Sequence, residues 1–417
     1  MSFQQGLSGL NAAAKNLDSI GNNVANATTV GFKQSQVQFA DIYANQLTGS
    51  GSSAIGIGVR VAAVSQQFTQ GNITATSNPM DIAINGGGFF RMDNNGSISY
   101  QRNGQFKIDK DGYIVSPTGG RLTGYPADPN GIVLTGAPSP LLLSTADLQP
   151  RITTQVKATL NLNDGSPVPS NPVFSVNDPL SYNNSMAVPV FDSLGNEHIM
   201  QSFFVRQDAT AGPPAQPAGW DVYVQLDNEP AALQGRLVFT TGGALDTAQT
   251  TPGMPMSVTM TLPAGTAAAP TLTLDLDFTS TTQFGAPYSI NALNQDGYTS
   301  GRLAGTSIDA DGIILGRYTN DQTAVLGQIV LANFANPNGL QQIGNNQWVD
   351  TQASGAPLVG VPNSGNLGVL QASAVEDSNV DLTVELVNMI VAQRVYQANA
   401  QTIQAQDQML QTLVNMR

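Results

Sequence analysis

The residues best suited to chemistry in this chain are few. His198 is the only histidine, and it follows Glu197 at the start of an apparent strand. A lone histidine with no second ligand candidate near it in sequence reads as structural rather than metal-binding. Asp109-x-Asp111-Gly112 and Asp309-x-Asp311-Gly312 invite a calcium reading. An EF-hand loop with glycine as its sixth residue would open on Lys107 and close on Thr118, or open on Ser307 and close on Tyr318. Neither end of either loop supplies a carboxylate, so both segments read as Asp-Gly hairpin turns. Asn85-Gly-Gly-Gly-Phe-Phe90 lacks the Lys-Ser/Thr of a phosphate-binding loop and opens no helix. Its glycines suit positive φ or close backbone approach. No pairing of carboxylates for glycan hydrolysis is suggested, and cysteine is absent, which removes thiolate nucleophiles, thiolate metal sites and disulfides. The sequence offers no catalytic, cofactor or metal site.

The composition points elsewhere. In 417 residues only 11% are charged while 41% are hydrophobic, against roughly 25% charged in a typical soluble protein. Neutral polar faces approach copies of themselves with little repulsion, which suits a self-assembling subunit; a secreted β-rich protein with a plain surface fits equally well. The net charge of −13 and the absence of any basic run argue against nucleic acid. The opening MSFQQGLSGLNAAAKNL has neither a basic n-region nor a continuous apolar core, so it does not read as a secretory signal, and no 18-residue apolar run predicts a membrane span. A chain that leaves the cell would then leave by a route that reads no cleaved signal.

Both ends of the chain carry a heptad pattern. From Asp377 to Arg417, Leu382, Met389, Tyr396, Ile403 and Leu410 fall seven apart, with Leu386, Gln393, Ala400, Asp407 and Val414 four after each. Ser378 and Asp381 read as a capping-box-like start. At the N-terminus Phe3, Leu10, Leu17 and Val24 repeat the spacing, with Leu7, Ala14 and Gly21 between them. Two such seams predict helices that lie side by side and enclose everything between them as a nested insertion; the alternative is two unrelated amphipathic helices on separate cores. With Gln393, Ala400 and Asp407 in the seam, the C-terminal helix needs partners yet binds none of them tightly.

Between the ends the chain reads as mainly β, with α-helical termini and two nested β-rich domains. Residues 1–25 and 377–417 form the helical assembly domain, and 26–70 is a connector containing the linker-like Gly49–Ser53. Residues 71–147 and 284–376 make a discontinuous inner β domain. Within it Ile108–Val115 is matched by Ile308–Leu315, two hundred residues later. Residues 148–283 form an outer β domain, where Val222–Leu226, Ser257–Leu262 and Thr271–Phe278 alternate as half-buried strands, separated by loops at 211–219 and 263–270.

Three motifs in order carry a resemblance. Ser8-Gly-Leu-Asn-Ala12, Asn22-Asn-Val-Ala-Asn26 and Thr29-Val-Gly-Phe-Lys33 resemble the N-terminal signature of the bacterial flagellar rod and hook family. Asp81–Phe90, Tyr100-Gln-Arg-Asn-Gly-Gln-Phe106 and Asp111-Gly-Tyr-Ile-Val115 resemble its shared β segment, although relatives more often carry Thr where Gln101 stands. Val380–Ile390 and Tyr396-Gln-Ala-Asn399 resemble its C-terminal signature. Rod members are generally shorter. The insertion here, with Val188–His198 leading to Phe203, Phe204 and Trp220, resembles the outer domain of the family's hook members, and a distal-rod subunit is the runner-up. The resemblance implies a non-enzymatic structural subunit without cofactors, exported unfolded through the flagellar type III apparatus. It would polymerise outside the cell into a curved tube that links rod to filament and transmits torque as a universal joint. The implied partners are many copies of the same chain, the hook cap, the distal rod and the hook–filament junction proteins, with no nucleic acid and no membrane insertion. An adhesin or fibre, or a secreted glycan hydrolase, would instead show receptor binding or turnover.

Overall fold

A computed structural model describes residues 2–42, 56–129, 131–144, 146–210, 216–263 and 268–415. The chain is mainly β with a helix at each end: α1, Ser2–Ala25, and α2, Leu382–Asn415. It divides into two units, the second inserted in the first. The first comprises Met1–Thr145, Ala304–Arg317 and Thr323–Arg417; the second comprises Ala146–Leu303 and Tyr318–Gln322. Gly49–Ser53 and most of the expected loops at 211–219 and 263–270 lie outside the described residues.

In the first unit, β1 (Ser35–Ile42) and β2 (Gly58–Gln66) form an antiparallel hairpin. The segment expected as a connector without a core of its own contains this hairpin, with Phe32 and Val37 buried and polar side chains of α1 fastened to it. Asn23 donates from Nδ2 to Ser35 O at 2.8 Å and accepts from Ser35 N at 2.9 Å, while Val59 N donates to Ser8 Oγ. Beyond the hairpin, a larger sheet runs through Leu303–Ile308, Ile313–Tyr318, Thr323–Ile329, Arg121–Pro126, Phe89–Asn94, Ser97–Gln101 and Gln347–Val349. Its core gathers Ile82, Ile84, Phe90, Met92, Leu122, Ile314 and Leu331, all fully buried. Phe89, Tyr100, Phe334 and Trp348 form a second, aromatic cluster with edge-to-face rings.

The two Asp-Gly segments form the same turn. Asp109 Oδ1 accepts from the backbone of Asp111 and Tyr113, and Asp309 Oδ1 from Asp311 and Ile313. Gly112 and Gly312 take φ of +86° and +78°, the left-handed conformation that glycine adopts without strain.

The second unit is a sandwich of two four-stranded sheets. One is a meander of Asn184–Phe191, Glu197–Gln207, Gly219–Leu226 and Ala232–Leu237; the other orders Met256–Thr261, Thr271–Asp277, Gln155–Asn161 and Ser289–Gln295. Val258, Leu272, Leu274 and Leu276 are fully buried while Thr259 and Thr273 face out, as their alternation predicts. Trp220, Phe204 and Phe278 fill the centre. The outer block, expected to close at 283, runs to Leu303. Ser289–Gln295 supplies an edge strand on Gln155–Asn161, and its polar, mostly exposed residues carry no apolar alternation that would reveal it.

His198 belongs to this unit. Its Nδ1 lies 2.7 Å from Asp227 Oδ2 and its Nε2 3.5 Å from Asp192 Oδ2, so the ring joins the turns that follow two strands. Among the described residues no group of three or more His, Cys, Asp or Glu is placed to hold a metal ion.

Candidate assembly interface

The C-terminal helix starts later than the capping-box reading predicts. Asp381 is its cap: Oδ1 accepts from Thr383 N at 2.8 Å and Val384 N at 3.2 Å. Ser378 Oγ instead accepts from Val380 N. The 34 residues of α2 give a rod of ~51 Å at ~1.5 Å per residue.

The two helices pack antiparallel. A Cβ on Gly6 would stand 3.1 Å from Ile403 Cγ1, and one on Gly9 only 2.6 Å from Asn399 Oδ1. At the other end Asn23 Nδ2 reaches Glu385 Oε2 at 3.5 Å. The contact face of α1 carries Gly6, Gly9, Ala13, Asn16, Ile20 and Asn23, a 3-4 stripe one position before the predicted seam. On α2 the matching face carries Glu385, Met389, Ala392, Asn399 and Ile403. Met389 and Ile403 were expected there. Glu385, Ala392 and Asn399 displace the row Leu386, Gln393 and Ala400 by one residue. Small side chains explain the shift, because glycine and alanine let the helix backbones approach where leucine holds them apart.

The predicted seam residues are thus mostly not the intrachain contact. Phe3, Leu7, Leu382, Leu386, Gln393, Tyr396 and Leu410 are exposed. Leu10, Ala14, Leu17, Gly21, Val24, Met389, Ala400 and Ile403 are half-buried. Val414 lies in α2, and its side chain is outside those described. Around α2, Val384, Val387, Ile390, Val391 and Val395 are exposed as well, each by about half its surface. The helix thus leaves apolar side chains open to solvent around most of its circumference.

What fixes α2 to the β body is a group of buried charges at its root. Lys33 Nζ lies 2.6 Å from Glu376 Oε1, and Arg102 NH1 3.1 Å from Glu376 Oε2. Lys33 also donates to Thr69 O, Arg102 NH2 donates to Gly86 O, and Gly71 N donates to Glu376 Oε1. Burial lowers the pKa of Lys33 and of Arg102, and the Glu376 carboxylate opposes the shift in both. The strand Ala374–Glu376 pairs with Ile73–Ala75, and Gly31 N donates to Glu376 O. Just beyond, Asn379 accepts from Gln34 N through Oδ1 and donates to Gln67 O through Nδ2. Sequence reading singled out neither Glu376 nor Asn379. Lys33 and Arg102 stand inside the quoted motifs, and a cation within a motif of so weakly charged a chain was the available signal.

Four family models match the chain in order. They are described as flagella basal body rod protein over residues 3–33, flagellar hook protein FlgE/F/G D1 domain over 83–158, flagellar basal body protein FlaE D2 domain over 159–298, and flagellar basal body rod FlgEFG protein C-terminal over 371–416. The flagellar hook protein FlgE of Salmonella typhimurium is 46% identical over 426 residues, with 100% of both chains covered. That of Escherichia coli K12 is 43% identical over 424 residues, again with 100% of both covered. Among solved structures, the crystal structure of Helicobacter pylori flagellar hook protein FlgE2 shares the fold at a TM-score of 0.54 and 14% identity, covering 73% of this chain and 99% of that one. With its helical ends, its inserted sandwich and full-length similarity to these relatives, the chain belongs to the flagellar hook protein FlgE family.

Proposed function

We propose that the chain is the repeating subunit of a curved, hollow hook that joins the basal-body rod to the filament and transmits torque between them, and that it carries no enzymatic activity. Many copies of the same chain are its principal partners. By family likeness the hook cap, the distal rod, the hook–filament junction proteins and the flagellar type III export apparatus complete the set. The observation that carries the reading is α2: its exposed apolar residues, Leu382, Leu386, Ile390, Tyr396 and Leu410 among them, are surface that a neighbouring copy would cover. The exposed rows Phe3–Leu7 and Leu382–Leu386 are the assembly faces. Small or polar positions among them (Ala14, Gly21, Gln393, Ala400) make many modest contacts that slide as the tube bends.

Deleting residues 2–24 tests the paired-helix basis of this reading. The truncated chain is expected to stay soluble, to keep both β cores folded and to form no polymer. Tubes from the truncated chain would contradict it.

A further inference from the structure

We propose that the groove between α1, α2 and the β1–β2 hairpin is one half of a head-to-tail contact between copies, filled by the Val387–Ile390–Arg394 stripe of the next copy's α2, whose Arg394 guanidinium meets the Glu385 carboxylate. The proposal rests on the assembly reading and specifies its interface. The groove has a volume of about 680 Å³ and is lined by apolar side chains including Val37, Phe39, Val391 and Val395. Glu385 is the one charged residue in that lining, and it is 2% exposed. Its Oε1 accepts from Gln34 Nε2 at 2.7 Å and its Oε2 from Asn23 Nδ2 at 3.5 Å. Both donors are neutral amides, so the carboxylate has no counter-cation within the chain among the described residues. A buried carboxylate at the edge of an open apolar groove selects a cation that brings apolar surface with it.

Arg394 meets that description. It is exposed and has no carboxylate partner among the described residues. Val387 and Ile390, 56% and 51% exposed, stand two turns and one turn before it. At ~100° per residue, Arg394 lies about 180° round α2 from Glu385 and about 60° from Val391, the nearest groove residue, so it does not meet the Glu385 of its own chain. Donor and receptor on different faces make a heterologous contact, the kind that propagates into an open helical polymer.

The absence of cysteine permits a clean test. The double variant Asn388→Cys, Arg394→Cys places two thiols six residues apart on one helix, ~9 Å along its axis and beyond disulfide reach within a chain. Mild oxidation of its polymers is expected to give a ladder of covalent oligomers on a non-reducing gel, and neither single variant gives more than dimers. Polymers of normal appearance without a ladder overturn the proposal and leave the assembly reading intact. Unmodified protein that forms no tubes overturns both. In parallel, Arg394→Lys is expected to polymerise and Arg394→Glu to lose polymerisation at least tenfold, with α2 helicity unchanged. Equal polymerisation by Arg394→Glu and the unmodified chain also overturns it, whether or not the cysteine variant assembles.

Discussion

Lys33 Nζ lies 2.6 Å from Glu376 Oε1, with both side chains fully buried and 343 positions apart in the chain. With Arg102 on the second carboxylate oxygen, this contact joins the exit of α1, the shared β segment and the approach to α2. The three residues together tie the start of α2 to the β body. Replacing Glu376 by Gln leaves two buried cations short of their counter-charge. Breaking a buried ion pair costs ~3–5 kcal/mol, so Glu376→Gln is expected to lower the stability of the first unit by that order. Trp348, buried in that unit, and Trp220, buried in the other, allow urea unfolding to be followed separately by fluorescence in single-tryptophan variants. The Trp348 transition should move to lower urea. An unmoved transition would show the triad to be dispensable.

Gly71 stands at the same root. A Cβ there would collide with the carbonyl oxygen of Asp377, and neither atom sits at the end of a flexible side chain. Gly71→Ala therefore requires the backbone near Glu376 to shift, at a cost of ~1–3 kcal/mol typical of overpacking. Calorimetry should show a lowered Tm for the first unit, whereas Gly305→Ala in the same unit serves as a contrast in space, since nothing lies within 4 Å of its would-be Cβ.

The second unit should respond to acid. Burial would raise the Asp296 carboxyl, but hydrogen bonds from Thr154 and the backbone of Gln155, with Arg151 beside it, outweigh that and hold it below its ordinary 3.8. Asp192 is lowered against burial in the same way by Asn196, Leu194 and His198. Asp277 is lowered chiefly by its Thr279 hydroxyl partner. Groups with depressed folded pKa values bind protons more readily when unfolded, so they contribute stability above the unfolded value and lose it as pH falls through the folded value. The Trp220 urea midpoint is expected to hold from neutral pH down to about pH 5 and to drop progressively below about pH 4. A midpoint flat down to pH 2 would contradict the assignment.

The sandwich strands were legible because one face of each is dry and the other wet, as Val258–Thr259 and Leu272–Thr273 show. The repeated Asp-Gly turns were legible because a single aspartate and a glycine suffice to form each one. The helices were legible as helices, but their contact face was misread by one residue. Heptad reasoning seats the large apolar side chains at the contact, and here Gly6, Gly9, Ala13 and Ala392 occupy it while Leu7 and Leu386 face outward. An apolar residue in a subunit's sequence does not announce whether its own chain or another copy will cover it. The Glu376 junction was hidden for a different reason: three charges far apart in sequence leave no local pattern.

The outward rows supply a mechanical prediction. Gln393 is exposed and Ala400 half-buried on α2, where leucine would deepen contact with a neighbouring copy. The double variant Gln393→Leu, Ala400→Leu is expected to give stiffer or straighter polymers, measured as increased persistence length in micrographs, and reduced motility in cells that depend on it. Unchanged curvature and motility would count against the sliding-contact account.

The most direct measurement of the central claim is negative-stain microscopy of the purified, full-length chain after assembly. Short, curved, hollow tubes are the predicted result. Monomers under all assembling conditions, solid fibres or uniformly straight shafts would contradict it.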